Sequence, residues 1–191
     1  MNAVTKIYGS YFQTKKDNLY YNEIKELSNL SDSSLSRALK KLKNSKILLQ
    51  EKTKSNTFYK IKDKKIFELE FSKIANKKFQ ELNIGVKVPL KNFLKQIPNN
   101  IFTIVLFGSS SIKEEQEGSD IDVLVVSNEK INLEEIKTKV DITSNYPISI
   151  FNCNIKQFNF NSDNIIIQAK KTGFPIYKEQ NFYEVILNEY K

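Results

Sequence analysis

Apolar residues in the second half of the chain come in short runs that polar turns separate. The clearest run is residues 101–107, IFTIVLF, whose length and β-branched content predict a buried strand. The same kind of pattern predicts strands within residues 119–126, 147–151 and 174–177, and helices at 89–96, 132–140, 163–171 and 182–190. This mixture of strands and helices predicts an α/β domain with a small mixed sheet.

The first half of the chain has apolar residues at helical spacing and ends in a predicted hairpin. Residues 3–13 and 20–27 are predicted to form helices, and a third helix begins near Ser33, after a cluster of turn and cap residues. A short strand at 47–49 and a hairpin over 50–62 follow. The whole chain is therefore expected to be an α+β protein.

A long amphipathic helix is predicted over residues 64–82, and residues 83–86 form the best domain boundary. The helix either packs within the fold or forms a seam between two copies of the chain, and its pattern fits both. At 191 residues the chain is long enough for two modest cores. We expect two domains, residues 1–86 and residues 87–191.

Charge is divided unevenly between these two expected domains. Residues 1–86 carry 18 basic and 9 acidic side chains, a net charge of +9. Residues 87–191 carry 12 basic and 13 acidic side chains, a net charge of −1. A basic module joined to a near-neutral one suggests that the first module meets a polyanion.

The composition excludes several kinds of chemistry. The chain has no histidine, which removes Ser-His-Asp and Cys-His catalysis and zinc sites of the Cys/His type. Its single cysteine, Cys153, excludes an intrachain disulfide and is expected to be a buried structural thiol. There is no run of about 18 apolar residues and no signal-peptide pattern, so we expect no membrane partner and a cytoplasmic location.

Two polar motifs adjoin the strands predicted at 101–107 and 119–126. Gly108-Ser109 directly follows the first strand, and Asp120 and Asp122 open the second. Residues i and i+2 of a strand share a face, which places these two carboxylates about 6–7 Å apart. Aspartate between apolar neighbours carries a desolvation cost, which a divalent cation would offset. Oxygen ligands of this kind suit Mg²⁺.

Gly108-Ser109, followed by Asp120 and Asp122 at twelve and fourteen residues after the glycine, resembles the GS…DxD signature of the DNA polymerase β-like nucleotidyltransferases. The spacing is similar to that of the minimal nucleotidyltransferase group, and the resemblance covers roughly residues 88–178. It implies that Gly108 and Ser109 hold the phosphates of a nucleoside triphosphate. It also implies that Asp120 and Asp122 are catalytic and bind Mg²⁺ or Mn²⁺. The alternative is an ordinary strand-to-helix turn with Asp120 as a turn residue.

The resemblance has two departures. The family normally carries a third carboxylate on the third strand, and the matching position here is Ser149. Serine cannot act as a general base at neutral pH or supply anionic metal coordination. Ile112-Lys113 also stands where family members often have a basic residue and then glycine. Nucleotide binding is therefore better supported than catalysis, with Asp141 and Asp163 as the nearby carboxylates that would need unusual geometry to substitute.

Residues 21–61 resemble a winged helix-turn-helix domain, in which three helices precede a β-hairpin. The resemblance implies binding to duplex DNA through the third helix, with the hairpin near backbone phosphates. The matching positions for nucleic-acid contact are Ser33, Ser34, Ser36, Arg37, Lys40, Lys52 and Lys54. Two alternatives stay open: a helical module with a solvated lysine face, and a protein–protein module.

Two functions of different classes follow from these observations. The first is an enzyme that transfers a nucleoside monophosphate from a triphosphate to a hydroxyl of a protein, nucleic acid or small molecule. The second is a DNA-binding regulator whose nucleotidyltransferase-like domain is a nucleotide sensor or a dimerisation platform. The intact Gly-Ser and Asp-x-Asp motifs favour the enzyme, and the winged domain favours the regulator.

Overall fold

The computed structural model describes residues 2–129 and 131–190. They group into two compact units, one containing the residues through Ile74 and those from Tyr183 onward, the other Ala75–Phe182. These units differ from the expected domains, because residues 75–86 and 183–190 fall in the opposite unit from the one expected. The division into domains 1–86 and 87–191 stays a prediction about which segments fold independently.

The first unit consists of helices and a small antiparallel sheet. Its elements in chain order are α1 (Ala3–Thr14), β1 (Asn18–Tyr20), α2 (Tyr21–Ser28), α3 (Asp32–Asn44), β2 (Leu48–Lys52), β3 (Thr57–Ile61) and the start of α4 (Lys64–Gln80). The strands are ordered β1-β3-β2. The predicted hairpin is confirmed as β2 and β3, in which Lys52 pairs with Thr57.

Local sequence explains why α3 forms where it does. The side chain of Ser31 accepts a hydrogen bond from the Ser34 amide and so caps the N-terminus of the helix. Four residues at helical spacing face inward: Leu35, Ala38, Leu39 and Leu42. The polar residues between them face solvent, and α3 therefore presents an exposed polar surface.

Aromatic side chains fill the core of the first unit. Phe67 of α4 makes edge contacts with Tyr8 and Tyr11 of α1, and Phe71 makes one with Tyr183. Tyr11 also donates its hydroxyl proton to the Tyr59 carbonyl at 2.6 Å, which satisfies a buried polar group. The apolar side of α4 is thus used within the chain, which favours a packing helix over a dimer seam. A second copy of the chain as partner stays a prediction.

The second unit is a mixed sheet with helices. Its elements after α4 are α5 (Ile84–Leu94), β4 (Ile101–Leu106), α6 (Gly108–Ile112), β5 (Ile121–Ser127), α7 (Glu134–Asp141), β6 (Ile148–Cys153), α8 (Ile155–Phe160), α9 (Asn164–Thr172), β7 (Phe174–Tyr177) and the start of α10 (Glu179–Glu189). The strands are ordered β6-β5-β4-β7. β5 and β6 are parallel, whereas β4 is antiparallel to both β5 and β7.

Most of the predicted elements are present, with a few differences in bounds and in short elements. Residues 83–86, expected as a boundary, contain the start of α5, and Pro89 lies inside that helix rather than opening it. The sequence pattern did not predict β1, α6 or α8. No helix in the described part of the chain is long and apolar enough to cross a membrane.

Candidate active site

The end of β4 and the start of β5 bring Gly108 against Asp122. The Phe107 amide donates to the Asp122 carbonyl at 3.0 Å, which aligns the two strands at this point. Gly108 then adopts a φ of +68°, a conformation that favours glycine. A Cβ atom at Gly108 would overlap Oδ2 of Asp122. The Asp122 carboxylate therefore occupies the space that any other residue at position 108 would fill.

Two buried serines hold the turn after Gly108. Ser111 donates its hydroxyl proton to the Gly108 carbonyl at 2.7 Å, and Ser110 donates to the Asp120 carbonyl at 3.4 Å. The second bond ties α6 directly to the segment that carries both aspartates. Ser109 lies between these groups and is half-buried. The structure thus places Gly108, Ser109, Asp120 and Asp122 in one site.

The two aspartates have different surroundings. Asp120 is exposed and Asp122 is half-buried. Burial raises the pKa of the Asp122 carboxyl, and the negative charge of Asp120 raises it further. Both causes disfavour the ionised form of Asp122, so a cation held between the two carboxylates would offset both of them.

Ser149 is the neighbour of Asp122 on the next strand. In the parallel register of β5 and β6, Asp122 pairs with Ser149, and the Ile121 amide donates to the Pro147 carbonyl at 2.8 Å. Paired residues of neighbouring strands point to the same face of a sheet. The predicted position of Ser149 beside Asp122 is confirmed. The residue that pairs with Asp122 therefore carries a hydroxyl and no carboxylate.

The two nearby carboxylates already have other hydrogen-bond partners. Oδ1 of Asp141 accepts from the Ile148 amide at 2.8 Å, and its Oδ2 binds Lys137 Nζ at 2.8 Å. Asp163 caps α9 by accepting from the Ile165 amide at 2.7 Å. Among the described residues there is no group of three or more histidine, cysteine or acidic side chains that could hold a metal. The protein would therefore supply Asp120 and Asp122 as the ligands of a metal at this site.

The residues proposed for nucleic-acid contact lie in the first unit. All seven are exposed: Ser33, Ser34, Ser36, Arg37 and Lys40 of α3, Lys52 at the end of β2, and Lys54 in the hairpin turn. Sequence reasoning missed Asp32 at the start of α3. Its carboxylate binds Lys25 at 2.7 Å and accepts from the Tyr21 hydroxyl at 3.1 Å. These hydrogen bonds hold the pKa of Asp32 below its ordinary value.

Sequence reasoning also missed the residues that support the aspartates. Ser110 and Ser111 belong to a run of three serines after Gly108, and this run was a signal that small hydroxyl side chains fill the turn. Lys137 lies on the helix predicted at 132–140, and Asp141 follows four residues later, just past the predicted end; this spacing suits an ion pair once the helix extends to Asp141. The hydrogen bond of Asp141 with the Ile148 amide of β6 depends on tertiary structure, so the sequence pattern did not indicate it.

The sequence and the fold around this site can be compared with those of known proteins. No curated protein matches the sequence of the chain. A solved structure described as "Crystal structure of the toxin-antitoxin with AMP-PNP" is similar at 18% sequence identity and a TM-score of 0.41, over 53% of this chain and 81% of that chain. Residues 89–172, which contain Gly108, Ser109, Asp120 and Asp122, match the model of the nucleotidyltransferase domain family.

Proposed function

We propose that this protein transfers a nucleoside monophosphate from a nucleoside triphosphate to a hydroxyl acceptor and releases pyrophosphate. The observation that carries the proposal is the contact of the Asp122 carboxylate with Gly108. This contact joins the Gly-Ser turn and the Asp-x-Asp motif in one site. Neither motif by itself would require the other to lie beside it. The match of residues 89–172 to the nucleotidyltransferase domain family supports the same reaction.

The residues present fit a divalent cation. Asp120 and Asp122 supply hard oxygen ligands. Burial raises the pKa of Asp122 and the negative charge of Asp120 raises it further, and a bound cation would offset both effects. Mg²⁺ is commonly bound through one or two carboxylates together with substrate phosphates and water, which suits a site with two aspartates. When bound, Mg²⁺ or Mn²⁺ neutralises charge on the transferring phosphoryl group and orients the attacking oxygen.

The residues of the site are better suited to binding a nucleotide than to removing a proton from the acceptor. Gly108 has no side chain, so the Asp122 carboxylate fits against the turn, and Ser109 adds a hydroxyl that can donate to a phosphate. Ser149 faces the same side as Asp122 but cannot accept a proton from the acceptor hydroxyl at neutral pH. The site therefore has groups to bind the nucleotide but no base to remove the proton of the acceptor hydroxyl. Transfer is slow unless the substrate supplies a base.

Incubation of the full chain with α-labelled ATP, GTP, CTP or UTP and Mg²⁺ or Mn²⁺ tests the proposal. Candidate acceptors are the chain itself, RNA, DNA and proteins of the host lysate. Covalent label in one acceptor, with release of pyrophosphate, is expected for one of the triphosphates. Absence of label with every triphosphate and acceptor, at a concentration that saturates binding, contradicts transfer and favours a nucleotide-binding regulator.

Substitution of Gly108 by alanine tests how the two motifs depend on each other. The added Cβ displaces the Asp122 carboxylate, so metal-dependent triphosphate binding should fall at least about tenfold. Gly118→Ala is the matched control, because Gly118 also has a positive φ but has open space around it. Gly118→Ala should lose about 1–2 kcal/mol in urea unfolding, since alanine is strained at positive φ, and Gly108→Ala should lose at least as much because its Cβ also overlaps Asp122. Equal nucleotide affinity in the two variants would contradict the arrangement of the site.

The first unit supports a second function, the binding of duplex DNA by a winged helix-turn-helix domain. The supporting observation is the exposed face of α3, which carries Arg37 and Lys40, next in sequence to a hairpin with exposed lysines. The net charge of +9 on residues 1–86 favours a polyanionic partner. A DNA-binding regulator with a nucleotide-binding second unit combines these features without requiring catalysis.

Arg37→Ala is expected to weaken binding to a specific duplex by about 1–3 kcal/mol, because arginine can pair with guanine through two hydrogen bonds. Affinity of the wild type should also fall steeply with salt, since phosphate contacts release counterions. Fluorescence anisotropy at several salt concentrations measures both effects. The full chain is the right sample, because Tyr183 packs against Phe71 in the first unit.

The control for this experiment is Lys91→Ala, which removes one exposed positive charge from the second unit. It should leave duplex affinity unchanged within about twofold. If the wild type shows no salt-dependent binding to a randomised duplex pool, the first unit does not bind DNA. A protein–protein role for the exposed α3 surface would then take its place.

A further inference from the structure

An ion pair that the proposed reaction does not use lies between α7 and the start of β6, the strand that pairs with β5. Lys137 and Asp141 are one turn apart on α7 and contact each other at 2.8 Å. The side chains are 28% and 19% exposed, respectively, which makes this pair more sheltered than an ordinary surface ion pair. Oδ1 of Asp141 accepts at the same time from the Ile148 amide at 2.8 Å. Asp141 therefore joins α7 to the start of β6.

Hydrogen bonds connect this pair to the residue that follows Asp120. The Ile148 amide that Asp141 binds follows Pro147, whose carbonyl accepts from the Ile121 amide at 2.8 Å. Ile121 in turn follows Asp120 directly in the chain. The hydrogen bond between Ile121 and Pro147 therefore links the residue after Asp120 to the residue before Ile148.

The charges in this region show that Lys137 is within electrostatic reach of Asp120. The hydrogen bond with Asp141 raises the pKa of the Lys137 ammonium, and burial opposes this rise. The negative charges of Asp141, Glu134 and Asp120 add to it. Lys137 is thus bound to Asp141, and the negative charge of Asp120 also acts on its ammonium.

We propose that Asp141 is a positioning residue, which holds the Lys137 ammonium away from Asp120 and Asp122 and so leaves their carboxylates free for a divalent cation. This inference rests on the proposed function of those two aspartates. Because Ser149 adds no negative charge beside Asp122, the site has two carboxylates. A lysine bound to either would cancel half of their charge and compete directly with metal.

Asp141→Asn separates this role from a structural one. Asparagine keeps an oxygen that accepts from the Ile148 amide, so the start of β6 is retained, but it carries no charge to hold Lys137. Mn²⁺ binding to the full chain, followed by electron paramagnetic resonance of free Mn²⁺, should weaken about tenfold. In the double variant Asp141→Asn/Lys137→Met no ammonium is available to compete, and the affinity should return to within about twofold of wild type.

A crystal structure of Asp141→Asn gives a readout that does not depend on metal. Lys137 Nζ within hydrogen-bonding distance of the Asp120 or Asp122 carboxylate supports the inference, and an unmoved Lys137 overturns it. Equal loss of Mn²⁺ affinity in the single and double variants also overturns it, because Asp141 would then act through β6 alone. Failure of wild type to bind Mn²⁺ refutes the proposed metal site instead, and the position of Lys137 in the crystal still decides this inference.

Discussion

Replacement of both Asp120 and Asp122 by asparagine is expected to abolish metal-dependent triphosphate binding. Asparagine keeps the size of each side chain and removes the charge that holds the cation. Transfer of nucleotide, where wild type shows it, should fall below detection with the same change. A binding assay with a fluorescent triphosphate, at a fixed Mg²⁺ concentration and again with a chelator, measures the effect.

The same double variant should unfold at an equal or higher temperature than metal-free wild type. Because the pKa of Asp122 is raised in the fold, this carboxyl stabilises the protein below the ordinary aspartate pKa. That stabilisation is lost as pH rises through the raised pKa, so at neutral pH the ionised carboxylate is unfavourable. The gain in stability of the asparagine variant should therefore be present at pH 7 and disappear below about pH 4.

A control variant removes two negative charges elsewhere in the same unit. Glu81 and Glu135 are both exposed, and their replacement by glutamine changes net charge by the same amount as the double aspartate variant. This control should keep wild-type triphosphate affinity. If the control and the aspartate variant lose affinity equally, the effect is one of overall charge and the two aspartates are not metal ligands.

Ser149→Asp is expected to raise the rate of nucleotidyl transfer by about 10²–10⁴, the usual contribution of a general base. The new carboxylate would lie beside Asp122, because positions 122 and 149 pair in the parallel register of β5 and β6. It should also tighten Mn²⁺ binding by adding a third anionic ligand. Single-turnover transfer of labelled nucleotide to an identified acceptor measures the rate.

Two controls separate proton transfer from charge and size. Ser149→Asn changes size without adding a base and should leave the rate low. Asn152→Asp adds the same charge to an exposed position nearer the other end of β6, on the opposite face, and should have little effect. Fast transfer by wild type would contradict the account of Ser149. Asp141 is poorly placed to explain such a result, since both of its oxygens have partners.

The parts of the site that the sequence predicted are those set by local pattern. The run 101–107 and the valine-rich segment after Asp122 specify two buried strands, and the Gly-Ser turn must follow the first. The family resemblance predicted Ser149 at the position of the third carboxylate, beside Asp122, and the register of β5 and β6 pairs these two residues. The contact of Gly108 with Asp122 had no local signal, because it depends on how β4 and β5 pair.

Elements that the sequence did not predict are short or depend on distant contacts. β1 has three residues and is a strand because Leu19 pairs with Tyr59 of β3. The contact of Tyr183 with Phe71, which places the end of the chain in the first unit, joins residues more than a hundred positions apart. By contrast, α8 has a capping box between Asn154 and Gln157, and that local signal was available.

Isothermal titration of the wild-type chain with a nucleoside triphosphate, with and without Mg²⁺, tests the central claim most directly. The account predicts saturable binding of at least one of ATP, GTP, CTP and UTP in the presence of Mg²⁺. It predicts that this binding weakens at least about tenfold when a chelator removes the metal. Equal affinity with and without Mg²⁺, or no binding of any triphosphate, would contradict a metal–nucleotide site at Gly108, Ser109, Asp120 and Asp122.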